Sequence, residues 1–248
     1  MRLSVINLLR RADRKAQFMA WNARDGLELA FVEAVDGREV NRQSLVRAGL
    51  LVGDPDAQTA GSLGNLLSKR RLWNDAADAS SPVLFCEDDA CLRGDFVEQV
   101  RRVLAEIDVG WDIIYFGYNT DAITCVQSRD GLSALLYFDG SAKQLPDYFE
   151  RFSRMRALPS TLIRCHQVWG TLCCAVSPEG GRRLLEVCRP LGGEGDIELI
   201  GQNRRIRPYG MDGLINLALQ RREVRAFCVF PPLAVSTNDA TDSDIAGA

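Results

Sequence analysis

The chain has 248 residues, 46% of them hydrophobic and 25% charged, which suits one large α/β domain spanning residues 1–248. A net charge of -3 and a pI near 5.4 supply no electrostatic footprint for general nucleic-acid binding, although local arginine clusters can still meet a phosphate. The eight cysteines lie mostly in apolar runs without paired CxxC spacing and read as reduced core thiols; no segment approaches eighteen uninterrupted apolar residues, so a cytoplasmic location with at most peripheral membrane contact is expected.

In chain order, "LSVINL" predicts a short strand and "RADRKAQFMAWNA" a helix in which Phe18, Met19 and Trp21 are interleaved among polar residues. "LELAFVEAVDG" predicts a strand ending in a turn. "GSLGNLLSKRRLWNDAADA" predicts a helix, with Leu63, Leu66, Leu67 and Leu72 at helical spacing. The strand "PVLFCEDD", the helix "RGDFVEQVRRVLAEI" and the strand "WDIIYFG" continue the alternation. Such a rhythm predicts a mainly parallel, Rossmann-like sheet covered by helices on both faces, with ligands at the carboxyl ends of its strands. Residues 118–165 break the rhythm with one short helix, "PDYFERFSRMRA", and are expected to form a variable lobe on the acceptor side of the active face. The strand "GTLCCAVS", the helices "PEGGRRLLEVCRPL" and "MDGLINLALQRR", the strand "RAFCVFPP" and a polar tail or lid, 236–248, close the chain.

The triplet Glu87, Asp88, Asp89 stands at the mouth of a buried strand. Side chains alternate along a strand, so Glu87 and Asp89 point to one side, where two carboxylates can hold magnesium or manganese or can simply form a charged turn. Asn7, Arg10, Arg11 and Arg14 follow the first strand, where a nucleotide meets a sheet edge; a solvated basic helix start is the plainer alternative.

The ordered blocks "VINLLRRADRKAQF", "GSLGNLLSKRRLW", "PVLFCEDDACL", "WDIIYFG", "GTLCCAVSPEGGRRLL" and "PPLAVSTNDATDSDI" resemble glycosyltransferase family 25, which includes bacterial lipooligosaccharide and animal collagen galactosyltransferases. The resemblance implies a GT-A fold and an inverting, metal-assisted transfer from a UDP-sugar, with Glu87 and Asp89 on Mn2+ or Mg2+ and Asp88 on the donor sugar or ribose. It places Asn7, Arg11, Arg14, Ser68, Lys69, Ser243 and Asp244 at the donor, with Lys69 standing where the family commonly has histidine. A carboxylate or histidine must also meet the acceptor hydroxyl. Asp212 is the first candidate and otherwise a helix cap; His166, the only histidine, is the second and otherwise a loop residue. Glu179 reads as a dipole-stabilising residue of its own helix. Trp169, Tyr148 and Arg151 are expected to bind an acceptor, whether a glycan, a lipid-linked sugar, a peptide or a modified base. A nucleotidyltransferase-like enzyme using a nucleotide triphosphate and an inactive glycan- or nucleotide-binding module are the alternatives; no GxxxxGK[ST] loop is present.

Overall fold

The computed structural model describes residues 1–128, 130–156, 159–193, 195–238 and 244. The first half runs β1 (Arg2–Asn7), α1 (Ala12–Asn22), β2 (Glu28–Glu33), α2 (Arg42–Arg47), α3 (Ala60–Asp78), β3 (Val83–Glu87), β4 (Cys91–Leu92), α4 (Phe96–Glu106) and β5 (Ile113–Gly117). After it come β6 (Thr124–Gln127), β7 (Ser133–Leu136), α5 (Tyr148–Arg154), β8 (Thr161–Gln167), β9 (Cys173–Val176), α6 (Pro178–Val187), β10 (Ile197–Leu199), β11 (Arg204–Ile206), α7 (Gly210–Gln220), β12 (Ala226–Phe230) and β13 (Ala234–Val235). Every strand and helix expected from periodicity is present. Among those not expected, α2 spans six residues and β4 two, too few to display a period, while β8 spans seven but mixes apolar and polar residues as "TLIRCHQ".

The main sheet has the order β2-β1-β3-β9-β5-β12-β8-β6-β7, with β13 against β5 and β4. β1, β2, β3, β5, β6, β12 and β13 run one way, and β4, β7, β8 and β9 oppose them. Side-chain alternation splits the core in two. Phe85, Ile113, Tyr115, Cys174 and Val176 pack on one face beneath α3, α6 and α7; Leu84, Cys86, Ile114, Phe116, Cys173 and Ala175 pack on the other beneath α1 and α4. The result is the three-layer α/β arrangement of a Rossmann-like GT-A fold. All eight cysteines are buried and unpaired, as core thiols. Among the described residues no helix is long and apolar enough to cross a membrane.

Residues 118–165 contribute both to the sheet and, through Asn119, to the lining of a cavity at its carboxyl edge. β6 and β7 form an antiparallel hairpin, β6 pairs with β8, and β8 pairs with β12, so the segment widens the sheet itself. Its short strands escaped notice because β7 exposes Ser133, Ala134 and Leu135 and carries no buried stripe. The segment's helix, α5, packs on β4 and α1 instead.

Because β1, β2, β3 and β5 are co-directional, their carboxyl ends bring Asn7, Ala34, Glu87 and the residues after Gly117 to one edge, where β9 begins. Two close approaches hold this edge. A Cβ at Gly64 of α3 would lie 2.4 Å from the Val35 carbonyl, and one at Gly181 of α6 would lie 2.5 Å from the Trp73 carbonyl, so glycine lets α3 press against both neighbours.

Candidate active site

Helix α3 divides the carboxyl edge into two cavities. Gly61, Gly64 and Ser68 recur at helical spacing and line the first, together with Ile6, Leu8, Arg10 and Arg14. Ser62, Asn65 and Lys69, one position further round the helix, line the second with Thr171 and Asp212. Asn65 and Glu87 line both, and Asn65 Nδ2 lies 3.4 Å from Glu87 Oε1. Asn65 and Thr171 were missed from the sequence. The polar row Ser62–Asn65–Lys69 on a helix that buries Leu63, Leu66 and Leu72 was the available signal.

The first cavity sets three arginines, Arg10, Arg14 and Arg38, among the carboxylates Asp36, Glu87, Asp88 and Asp244. Arg10 and Arg11 meet Asp244 at 2.6 and 2.7 Å, and Arg14 lies 4.0 Å from the same carboxylate. Burial alone would raise the Asp244 pKa, but the Arg10 and Arg11 hydrogen bonds outweigh it and hold the group below the usual value. Asn7 donates to Asp88 Oδ2 at 2.6 Å and to the Arg11 carbonyl at 3.1 Å, and Arg14 meets Asp88 Oδ1 at 3.3 Å. Asn7 therefore orients Asp88 and lines neither cavity itself. Ser68 lines the cavity with its hydroxyl committed: it accepts the Val35 N–H at 2.8 Å and donates to the Gly64 carbonyl at 2.7 Å. Ser243 lies outside the described residues.

The second cavity is acidic, with Glu87, Asp89 and Asp212 in its wall. Asp212, the third residue of α7, does not cap its helix; its Oδ2 accepts the Gly170 N–H at 2.9 Å and its Oδ1 lies 3.5 Å from the Thr171 hydroxyl. Burial raises its pKa, against the pull of Lys69. Lys69 is 1% exposed and turns away from the first cavity, donating to Glu87 Oε1 and to the Thr171 hydroxyl. Burial disfavours its charge, yet the Glu87 and Asp212 carboxylates prevail and its pKa is raised. Burial, then Glu87 and Asp88, push Asp89 up to about 7, and its Oδ1 is buried without a hydrogen-bond partner among the described residues. Among those residues no group of three His, Cys, Asp or Glu side chains could hold a metal ion. An orphaned carboxylate oxygen beside Glu87 fits a cation held by two carboxylates and completed by phosphate oxygens.

A family model described as "Glycosyltransferase family 25 (LPS biosynthesis protein)" matches residues 1–196. The chain belongs to glycosyltransferase family 25. It is 31% identical to human "Procollagen galactosyltransferase 2" over 46% of the chain and 20% of that protein. It is 35% identical to an Aedes aegypti "Glycosyltransferase 25 family member" over 46% of the chain and 20% of the relative. It is 30% identical to the rat "Probable inactive glycosyltransferase 25 family member 3" over 52% of the chain and 25% of the relative. The chain thus matches only a fifth to a quarter of the length of these relatives.

In this family 25 chain the match contains Asn7, Arg10, Arg14, Lys69 and the acidic triplet, while Asp212 and Asp244 lie beyond it. Besides Asn7 and Arg11, four expected site residues line neither cavity: His166, Trp169, Tyr148 and Arg151. His166 sits on β8 at a register shift against β6; burial, then Arg164 and Arg222, lower its pKa. Trp169 contributes its carbonyl, which accepts the Asn119 N–H at 2.7 Å, and only the next residue, Gly170, reaches the acidic cavity. Tyr148 stacks on Phe152 with ring centroids 6.0 Å apart, and Arg151 pairs with Asp147 at 3.3 Å, because α5 turns toward β4 rather than toward the carboxyl edge. Glu179 meets Arg183 at 3.0 Å and Arg225 at 3.2 Å, a helix-surface role.

Proposed function

We propose that this chain is an inverting glycosyltransferase that moves a hexose, galactose or glucose, from a UDP-sugar to an acceptor hydroxyl. The observation that carries the reading is the adjoining of an arginine-lined cavity and a carboxylate-lined cavity at Glu87 and Asn65. Guanidinium groups suit a diphosphate, and the ridge between the cavities suits the bond that breaks. Asp212 then serves as the base. As the acceptor oxygen bonds to the anomeric carbon, its proton passes to Asp212, the bond from that carbon to the diphosphate oxygen breaks, and UDP leaves with the electron pair. The Gly170 N–H fixes one oxygen of Asp212, and the other meets the Thr171 hydroxyl within the cavity lining. A buried carboxylate with a raised pKa is also a better proton acceptor than a solvated one. A divalent ion, Mn2+ or Mg2+, held by Glu87 and Asp89 would neutralise charge on the departing diphosphate. The acceptor belongs to the class of glycans, lipid-linked sugars, peptides or modified bases that carry a free hydroxyl.

A second reading, a module that binds nucleotide or glycan without turnover, is favoured by the name of the rat relative. Incubation with UDP-galactose and UDP-glucose, with and without Mn2+, followed by mass spectrometry, decides between them. Release of UDP and hexose supports the transferase. UDP binding with no hydrolysis supports the inactive module, and pyrophosphate release from a nucleotide triphosphate would favour a nucleotidyltransferase.

A further inference from the structure

We infer that Lys69 is a resident cation of the acidic cavity and competes with a divalent ion for Glu87. This rests on the reading above only in taking Glu87 and Asp89 as the residues that receive the ion. Three carboxylates, Glu87, Asp89 and Asp212, line the cavity, and Lys69 is the one basic side chain among its described lining residues. It is not a surface lysine free to swing aside. Its Nζ donates to Glu87 Oε1 and to the Thr171 hydroxyl and lies 3.4 Å from the Thr171 carbonyl, and the side chain is 1% exposed. The same hydroxyl, 3.5 Å from Asp212 Oδ1, ties the ammonium to the opposite wall.

Two consequences follow from charge and from atom count. One oxygen of Glu87 is already engaged, so a metal meets the other oxygen and Asp89. A fixed ammonium in a poorly solvated cavity also repels a divalent cation more strongly than a solvated lysine would. Free metal therefore binds weakly. The negative charge of a nucleoside diphosphate restores the balance, so that ion and nucleotide bind together. Lys69 here is a positioning residue and an electrostatic gate on the ion, rather than a ligand of the donor phosphates.

The test is Mn2+ binding followed by electron paramagnetic resonance on the wild type, Lys69→Met and Lys69→Gln, each with and without UDP. Methionine matches the unbranched shape without charge. Glutamine keeps a hydrogen-bond donor for Glu87 and Thr171, and so covers the case in which the apolar replacement costs the fold. Without UDP, both folded variants should bind Mn2+ about tenfold or more tightly than the wild type. UDP should enhance binding most in the wild type. Variants that bind Mn2+ no more tightly, or a wild type that binds it equally well without UDP, would overturn the inference; so would the absence of Mn2+ binding throughout. No turnover enters this measurement. Tightening in a protein that hydrolyses no nucleotide sugar leaves the inference standing and removes the proposed activity, whereas hydrolysis without tightening does the reverse.

Discussion

Asp212 and His166 separate sharply once their surroundings are known. An aspartate in the first turn of a helix ordinarily satisfies its own backbone, but Asp212 reaches across to the Gly170 N–H and faces the Thr171 hydroxyl. Asp212→Asn preserves the shape and an oxygen for Gly170 while removing the proposed base. Transfer should fall on the order of a hundredfold or more, with UDP affinity by calorimetry nearly unchanged; near-normal transfer would leave Asp212 a structural role only. His166 makes the opposite case. Its folded pKa is depressed below 6.5 by burial, Arg164 and Arg222, so the unfolded chain takes up its proton first as pH falls. The associated stability is present above pH 6.5 and is lost as pH drops through the folded value. Because His166 is the only histidine, its imidazole NMR signals are assignable without ambiguity and should titrate below 6.5. His166→Gln should flatten that small slope in melting temperature and leave donor hydrolysis intact.

At the level of elements, α3 carries the site, because one helix presents Gly61, Gly64 and Ser68 to the first cavity and Ser62, Asn65 and Lys69 to the acidic one. Its glycine contacts are backbone-to-backbone and cannot relax by a rotamer change. Gly181→Ala places a methyl 2.5 Å from the Trp73 carbonyl between α3 and α6, outside both cavities. It should cost about 1–3 kcal/mol, read as a lower melting temperature, with nucleotide affinity of the folded protein unchanged. Gly64→Ala strikes Val35 in the wall of the first cavity and should weaken UDP binding as well. Equal affinity for UDP in the two variants would argue against a nucleotide in that cavity. Arg14→Ala removes a partner of both Asp88 and Asp244 and should weaken UDP binding on the order of tenfold.

For the whole molecule, the sheet's width is the feature with the widest reach. β8 supplies the antiparallel neighbour of β12, and β6 that of β8, so excising 118–165 strips paired strands from the sheet instead of trimming a lobe. Such a chain should fail to give a cooperative melt. A soluble, cooperatively folding deletion would show that the sheet closes without these strands. Within the same segment Phe152, 6% exposed, anchors α5 beside Cys91 and Val235, and Phe152→Ala should destabilise the protein by about 3 kcal/mol.

The alternation of apolar strands with amphipathic helices was sufficient to establish a layered α/β fold, because burial on both faces of a sheet imposes short continuous apolar runs such as "PVLFC" and "DIIYFG". The acidic triplet, the arginines after β1 and Asp212 were legible as charges that a globular chain places at strand ends and helix starts. Their sorting was not. Whether Lys69 faces the first cavity with Ser68 or the second with Asp212 depends on about a hundred degrees of rotation around α3, which the packing of Gly64 and Gly181 against neighbours remote in sequence decides. Likewise, α5 carries aromatics and arginines that suit an acceptor in isolation, but the side of the sheet they face is set by contacts with β4 and α1, long-range pairings to which local periodicity is blind.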